Sequence, residues 1–403
     1  MGSDWAIVGG GLTGVSLAYE LAKRQQSVVL LEQHDPIQGA TRWSYGGVAY
    51  WSGTTPWLQQ LCQESRDRYA ALAQELALDI EYRDTHLLIP IEAEQDLAAV
   101  CQEYQSFTPA PDLLTPQEAQ DIEPLLNPSP FQAALRFPHG HVNPLALVRA
   151  YRQGFVALGG TIVQTRVTGW QTTAQQRISG IETTGNPILS DRVILSAGAG
   201  GRSLLNQLGV SIPLYFNQAE LIETEATDLP LNGVVLPANQ SRLRLESTLT
   251  DPAFAEIWHQ GKPLNLPPAL EPGGVQFQDG RCCLGQISRF CRPQDPAVDR
   301  VASEALMREA IAKILPDLAT LPGTWRHCRV SFSADGLPLI GALPPWENLF
   351  LFSGFTSPFA LVPALAVRFA QGLVGELEPE LEIFAPTRST THSTPKPSPE
   401  HCP

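Results

Sequence analysis

The sequence predicts an α/β protein: a Rossmann-like nucleotide-binding domain in interleaved segments, with a second domain on a mostly antiparallel β-sheet. Three observations predict it. A strand, a glycine fingerprint, a helix and a second strand follow one another over residues 4–32. Patterning of the βαβ kind returns between about residues 143 and 212, after an insertion. From Pro213 to about Arg329 the pattern changes to longer polar strands with turns.

The opening segment is built for a dinucleotide. Trp5 to Val8 is a short apolar run of the kind that forms a buried parallel strand. G-x-G-x-x-G follows at once, as Gly9, Gly11 and Gly14. Leu12 to Gln25 carries Leu12, Val15, Tyr19 and Ala22 at helical spacing, and Ser27 to Leu31 reads as a second strand closed by Glu32. The first glycine makes the tight turn, the second lets backbone approach a pyrophosphate, and the third lets helix pack on strand. The helix N-terminus offers free N–H groups and a positive dipole end to the phosphates. Glu32 falls where an acid meets a ribose hydroxyl, about 20 residues on.

Composition narrows the class. A chain of 403 residues with 43% hydrophobic and 17% charged content has enough apolar sequence for a sizeable core in two or three domains. The net charge of −14, with four lysines and no basic cluster, argues against nucleic acid or anionic membrane as partner. Seven scattered cysteines without a C-x-x-C pair argue against structural zinc and a disulfide framework, and fit a reducing, cytoplasmic compartment. No metal site is expected. A strand starting by residue 5 leaves no room for a secretory signal. Leu349 to Val367 is nineteen residues without a charge, but Gly354, Pro358 and Pro363 suit strand, loop and helix better than a bilayer span.

The remaining elements follow in order. Gly39 to Trp51 is irregular and rich in small residues; Trp57 to Leu78 is helical, Thr85 to Ile91 a strand, and Glu92 to Phe107 a helix. Pro109 to Pro130 reads as a proline-punctuated connection in which Thr115 opens a short capped helix. His139 to Pro144 turns into a helix over Leu145 to Leu158, and strands follow at Thr161–Thr165, Arg177–Glu182 and Arg192–Ala197. Leu214 to Ala219 is a strand after which Glu220 is expected to face solvent. Asp279-Gly280 marks a hairpin, Ala302 to Leu315 a helix, Leu349 to Ser353 a buried strand and Leu361 to Val374 a closing helix. The nucleotide domain is thus expected at 1–84, 143–212 and 330–385, the substrate domain at 85–142 and 213–329, and a disordered tail at 386–403.

At this point the chain resembles the FAD enzymes of the D-amino-acid oxidase, glycine oxidase and sarcosine oxidase superfamily. The resemblance rests on the fingerprint, on GATRWSYGG from Gly39, on Asn143-Pro144 through Gly159-Gly160-Thr161 to Val167, and on VILSAGAGGRSL from Val193. DGRCCLG from Asp279 and DGLPLIGALP from Asp335, with ENLFLFSGF after it, complete it in family order. It implies FAD as cofactor, since the C-terminal segments return to the nucleotide fold and no second fingerprint exists for a nicotinamide. The cofactor residues it implies are Gly9, Gly11, Leu12, Thr13, Gly14, Glu32 and Gln33, then Thr41, Ser44, Gly46 and Gly47 in the first loop. Val167, Ala197 and Gly198 belong to the adenosine side, and Gly341, Gly354, Phe355, Thr356 and Ser357 to the C-terminal return.

Departures appear at the substrate end. Glycine oxidase-like sequences carry an Arg five residues before the Asp of DGLPLIG, where this chain has Val330. Its neighbour Arg329 would point to the opposite face of a strand. Sarcosine oxidases use a Lys where this chain has Ala360, and an Arg in the first loop that is missing after Ser44. A substrate carboxylate therefore lacks an evident partner unless Arg281, Arg289 or Arg292 supplies one from the substrate sheet. Cys328 stands at the spacing of the cysteine that carries the flavin covalently in sarcosine oxidases; the other reading is a buried thiol packing as a small hydrophobe. Arg329, Cys328 and Phe355 are the residues expected at the reactive end. His139 and His141 read as satisfied structural histidines, and Cys282 and Cys283 as facing opposite ways.

The resemblance implies an oxidoreductase acting on the C–N bond of a small amine or amino acid, by hydride transfer to flavin and hydrolysis of the imine. Oxygen or an electron carrier would reoxidise the flavin. A 2-hydroxy acid dehydrogenase of the same fold and a non-catalytic flavin-binding assembly or regulatory protein are the alternatives, and nothing in the sequence sets an oligomeric state.

Overall fold

A computed structural model of the chain describes residues 3–251, 254, 258, 266–292 and 295–388. It opens with β1 (Ser3–Val8), α1 (Leu12–Lys23) and β2 (Val28–Glu32). Next come β3 (Gly47–Val48), α2 (Pro56–Glu75), β4 (Arg83–Glu92), α3 (Leu97–Tyr104), β5 (Asp112–Leu114), α4 (Pro116–Ile122) and β6 (Phe131–His141). The chain then returns through α5 (Pro144–Ala157), β7 (Thr161–Gln164), the hairpin β8 (Val167–Thr172) with β9 (Ile178–Thr183), β10 (Ser190–Leu195) and α6 (Gly201–Gln207). It leaves again along β11 (Leu214–Ala226), β12 (Val234–Val235), α7 (Ser241–Thr250), β13 (Ala269–Gln276) and β14 (Arg281–Arg289). The last elements are α8 (Arg300–Ile314), α9 (Pro316–Ala319), β15 (Gly323–Ser333), β16 (Leu339–Ala342), β17 (Leu349–Ser353) and α10 (Pro358–Val374).

Two large sheets result. The first has the order β16-β17-β10-β1-β2-β7, parallel except for β16, which pairs antiparallel with β17. Its strands are apolar on both faces because both are covered. Trp5, Ile7, Leu30 and Phe352 meet α1, α2, α5 and α10 on one side, and Ala6, Val8, Leu195 and Leu351 meet Ile178, Leu204 and Leu205 on the other. The second sheet has nine strands, β15-β11-β14-β13-β12-β4-β6-β3 with β5 alongside β6, and all its pairings but β12–β4 are antiparallel. One of its faces packs under α8 through Ile222, Cys282, Leu284, Ile287 and Met307. The other carries Leu221, Val275, Cys283 and Phe137 and meets the loop after β2 through Trp43, Tyr45 and Trp51. Cys282 and Cys283 fall on opposite faces, as alternation requires.

Several elements differ from the sequence expectation. β6 runs where a connection and turn were expected, because Pro138 and the HGH stretch sit inside the strand. β11 continues through Glu220 to Ala226. β15 pairs with β11 without interruption from Gly323 to Ser333, so this sheet extends past residue 330. At Thr115 both halves of the expected capping box form, with Glu118 as the partner. Residues 389–403 of the expected tail lie outside the described residues. Before them Arg388 forms an ion pair with Asp335 at 2.6 Å. Among the described residues, no helix is long and apolar enough to cross a membrane.

Candidate active site

The phosphate-side residues gather at the C-terminal edge of the parallel strands, where open α/β sheets bind their ligands. The fingerprint ends β1, Glu32 ends β2, Ala197 and Gly198 follow β10, and Gly354 to Ser357 follow β17. Gly9 has φ +107°, and a Cβ there would lie 2.5 Å from the Ser196 carbonyl oxygen. A Cβ on Gly14 would lie 1.8 Å from the Gly9 oxygen, so the helix sits on the turn at a distance only glycine allows. The N-cap of α1 is Gly11, no side chain caps it and no acid stands in its first turn. Leu12 N–H donates to Thr41 Oγ1 at 3.1 Å, which ties the first loop to the helix start and leaves Thr13 and Gly14 in the same turn. Glu32 accepts from Gly10 N–H at 2.7 Å and from His34 N–H at 2.9 Å, which fixes its carboxylate beside the turn; Gln33 next to it is exposed. Val167 comes just past β7, whose last residue Gln164 pairs with Glu32.

The first loop is pinned between the two sheets. Ser44 Oγ accepts from Gly46 N–H at 3.2 Å. Gly46 adopts φ +71° against the Val142 carbonyl, and Gly47 pairs with His141 at the sheet edge. Tyr45 donates to the Gly285 carbonyl at 2.8 Å, and burial pushes its phenol up. Arg42 lies 4.6 Å over the Trp43 ring with a buried Nε that has no partner. At the other cofactor edge, α10 begins at Ser357 with no side-chain cap, and Thr356 Oγ1 is buried without a partner. An uncapped pair of helix starts, a glycine cradle and orphaned buried donors fit a bound dinucleotide. Gly341 is placed otherwise: it sits mid-strand in β16, opposite Leu351, where an added Cβ would lie 3.4 Å from Pro386.

The register of β15 decides what faces this loop. Arg326, Cys328 and Val330 pair with Leu221, Ala219 and Asn217, and Arg326 lies 5.0 Å over Trp43, so this row faces the cofactor loop. Arg329 pairs with Gln218 on the α8 side, is exposed and stacks on Phe216. Its expected place at the reactive end is corrected by that alternation. Cys328 does lie on the loop side, but burial pushes its thiol up to about 12 and no cation offsets this. The Phe355 side chain is buried against Phe352 at 5.0 Å between ring centres.

Other expectations resolve differently. Glu220 is fully buried on the α8 side, where Arg289 donates to it at 2.9 Å and Ser303 Oγ also donates; a solvent-facing Glu220 is thus corrected. Arg289 is engaged there, Arg281 pairs with Glu223 at 2.6 Å, and Arg292 pairs with Asp295 at 2.7 Å. His139 Nδ1 accepts from Trp51 Nε1 at 3.3 Å, whereas both ring nitrogens of His141 are buried without partners. Burial holds each imidazole down at about 3, hence neutral. Among the described residues no group of three or more His, Cys, Asp or Glu side chains is placed to hold a metal ion. Sequence reasoning missed α7, whose Arg242 and Glu246 form an i,i+4 pair; that spacing was the available signal.

Comparison with known proteins places the chain in a family. The family model described as FAD dependent oxidoreductase (DAO) matches residues 4–371. A glycine oxidase of Pseudomonas putida is 25% identical over 391 residues, covering 93% of this chain and 95% of the relative. One of the opine oxidase chains of Rhizobium meliloti is 23% identical over 415 residues, covering 96% and 97%. The crystal structure of glycine oxidase from Geobacillus kaustophilus superposes with a TM-score of 0.78 at 23% identity, covering 96% of this chain and 98% of that one.

Proposed function

The chain belongs to the FAD dependent oxidoreductase family, and from that membership we propose that it oxidises the C–N bond of a small amine or amino acid. The observation that carries this reading is the meeting of two surfaces. The glycine cradle at the edge of the parallel sheet and the Arg326–Cys328–Val330 row of the antiparallel sheet both face the loop that holds Thr41, Trp43 and Tyr45. A substrate held between them would lie against the cofactor and away from water. The similarity to glycine and opine oxidases, whose names describe oxidation of amino-acid-type amines, supports C–N over C–O chemistry.

Gly9, Gly11, Leu12, Thr13 and Gly14 would hold the pyrophosphate, Glu32 the ribose, and the Thr41–Gly47 loop the middle of FAD. The start of α10 at Thr356 and Ser357 would meet its flavin end. FAD, when bound, would supply the acceptor for a hydride, and with it two electrons, from the substrate carbon. The protein's own residues bind and orient the amine; the neutral histidines and the neutral Cys328 offer no strong base, which suits an amine that enters unprotonated. The imine product hydrolyses in water. Oxygen or an electron carrier is the proposed oxidant, and the cytoplasm the proposed location, in keeping with six free cysteines among the described residues.

Product analysis tests the reaction. Turnover of the FAD-loaded protein with glycine, sarcosine and short secondary amino acids should release the free amine or ammonia together with the matching oxo compound. Release of neither, with FAD bound, sinks the reading.

A further inference from the structure

The wall that faces the cofactor has lost its expected arginine at Val330, yet it is not without a cation. Val330 pairs across the sheet with Asn217 on the same face. Asn217 Nδ2 donates to Glu246 Oε1 at 2.8 Å, and the same oxygen accepts from Arg242 Nη1 at 3.1 Å. Glu271 holds Arg242 from the other side: its Oε1 accepts the Arg242 backbone N–H at 2.9 Å, and its Oε2 lies 3.8 Å from Nε. The helix that carries Arg242, α7, covers the cofactor side of the sheet. Its Leu245 and Leu249 pack on Phe332, which shares the face of β15 that carries Val330 and Cys328.

The guanidinium is enclosed but not used up. Its side chain keeps 26% of its surface exposed, against 8% for Glu246 and 15% for Glu271. Among the described residues Nη2 makes no hydrogen bond, so part of the fork is open. Burial pushes the Glu246 carboxyl up, while the charge of Glu246 beside it pushes the Arg242 guanidinium up and keeps it cationic.

We propose that Arg242 receives the carboxylate of the substrate, in place of the cation missing at Val330, and so selects amines that carry an acid group. This rests on the amine-oxidising reading above. An arginine fork is suited to a planar carboxylate, and one already held by Glu246 and Glu271 loses little freedom on binding.

The test uses the full chain loaded with FAD and two probes that are not oxidised, acetate and its neutral isostere acetamide. Binding is read from the shift of the flavin's visible band. Acetate should bind tighter than acetamide. Arg242→Met should weaken acetate by about tenfold to a hundredfold, the effect of one charge-assisted hydrogen bond, and leave acetamide unchanged. Arg242→Lys, which keeps the charge without the fork, should fall between. Equal acetate affinity in wild type and Arg242→Met would overturn the assignment. If Arg242→Met does not fold, equal affinity of the wild type for acetate and acetamide overturns it. Ethylammonium binding that depends on Glu271 with no acetate binding would also overturn it, since the wall would then select cations. The two claims fail separately. Amino acids that reduce the flavin alike in wild type and Arg242→Met leave the oxidase reading standing and remove this one. Arg242-dependent acetate binding without flavin reduction by any amine does the reverse.

Discussion

Replacing Gly14 by alanine should detach the cofactor while leaving most of the protein folded. The added Cβ would lie 1.8 Å from the Gly9 carbonyl oxygen, 3.0 Å from its carbon and 3.3 Å from Ser196 Cβ. Ordinary contact needs about 3.5 Å, so the start of α1 must move by roughly 1.5 Å or the β1–α1 turn must open. Neither neighbour is a flexible side-chain end. Overpacking of this kind costs about 1–3 kcal/mol of stability, and it falls on the segment whose uncapped N–H groups take the pyrophosphate. Loss of two such charge-assisted bonds, at about 1.5 kcal/mol each, corresponds to roughly a hundredfold weaker FAD binding. Gly200→Ala is the control: it lies in the turn after β10, and nothing stands within 4 Å of its added Cβ. FAD titration followed by quenching of flavin fluorescence, with thermal unfolding alongside, measures both. Gly14→Ala binding FAD within about threefold of wild type would refute the close-approach reasoning.

Thr41→Val removes the acceptor of the Leu12 N–H and should weaken FAD by about tenfold, checked in the same titration. Arg388→Ala breaks the pair with Asp335 and the bonds from Arg388 to the Leu337 and Pro338 carbonyls, and should cost about 2 kcal/mol in urea unfolding. Burial acts to raise the Asp335 carboxyl, but hydrogen bonds and charge from Arg388 outweigh it and hold it below its ordinary value. That stabilisation is therefore present above the unfolded carboxyl value of about 3.9 and is lost as pH falls through the folded one. Wild type and Arg388→Ala should accordingly converge in stability toward low pH, and a gap that stays constant would contradict the assignment. Acid precipitation of the loaded protein should leave all flavin in the supernatant, since burial keeps the Cys328 thiol neutral and a neutral buried thiol is a poor nucleophile. Flavin retained in the pellet would show the reverse.

The nucleotide side was legible in the sequence because its signals are local. Gly9 to Glu32 places strand, turn, helix and acid within one short stretch, and Leu349 to Ser353 reads as a buried strand from five consecutive residues. Thr115 and Glu118 announce their helix through a capping box that needs no tertiary context. The substrate side depends on pairings far apart in sequence. β6 carries Pro138 and a histidine pair that look like a turn until β4 lies beside them. Glu220 reads as a solvent residue until Arg289 and Ser303 are brought over it from β14 and α8. Asn217, Arg242 and Glu271 come from three elements: the register of β11 against β15 sets Asn217 opposite Val330, and Glu246 links Asn217 to Arg242, which Glu271 holds from the other side. Alternation along β15 had already set Arg329 apart from Val330; which of the two faces the cofactor required Trp43 under Arg326.

The most direct measurement is the visible absorption of the FAD-loaded protein mixed without oxygen with primary and secondary amines, amino acids and 2-hydroxy acids. Amine oxidation requires that the flavin bleach with amino-acid-type amines and stay oxidised with hydroxy acids. Bleaching by hydroxy acids alone, or by no compound while FAD remains bound, would contradict it.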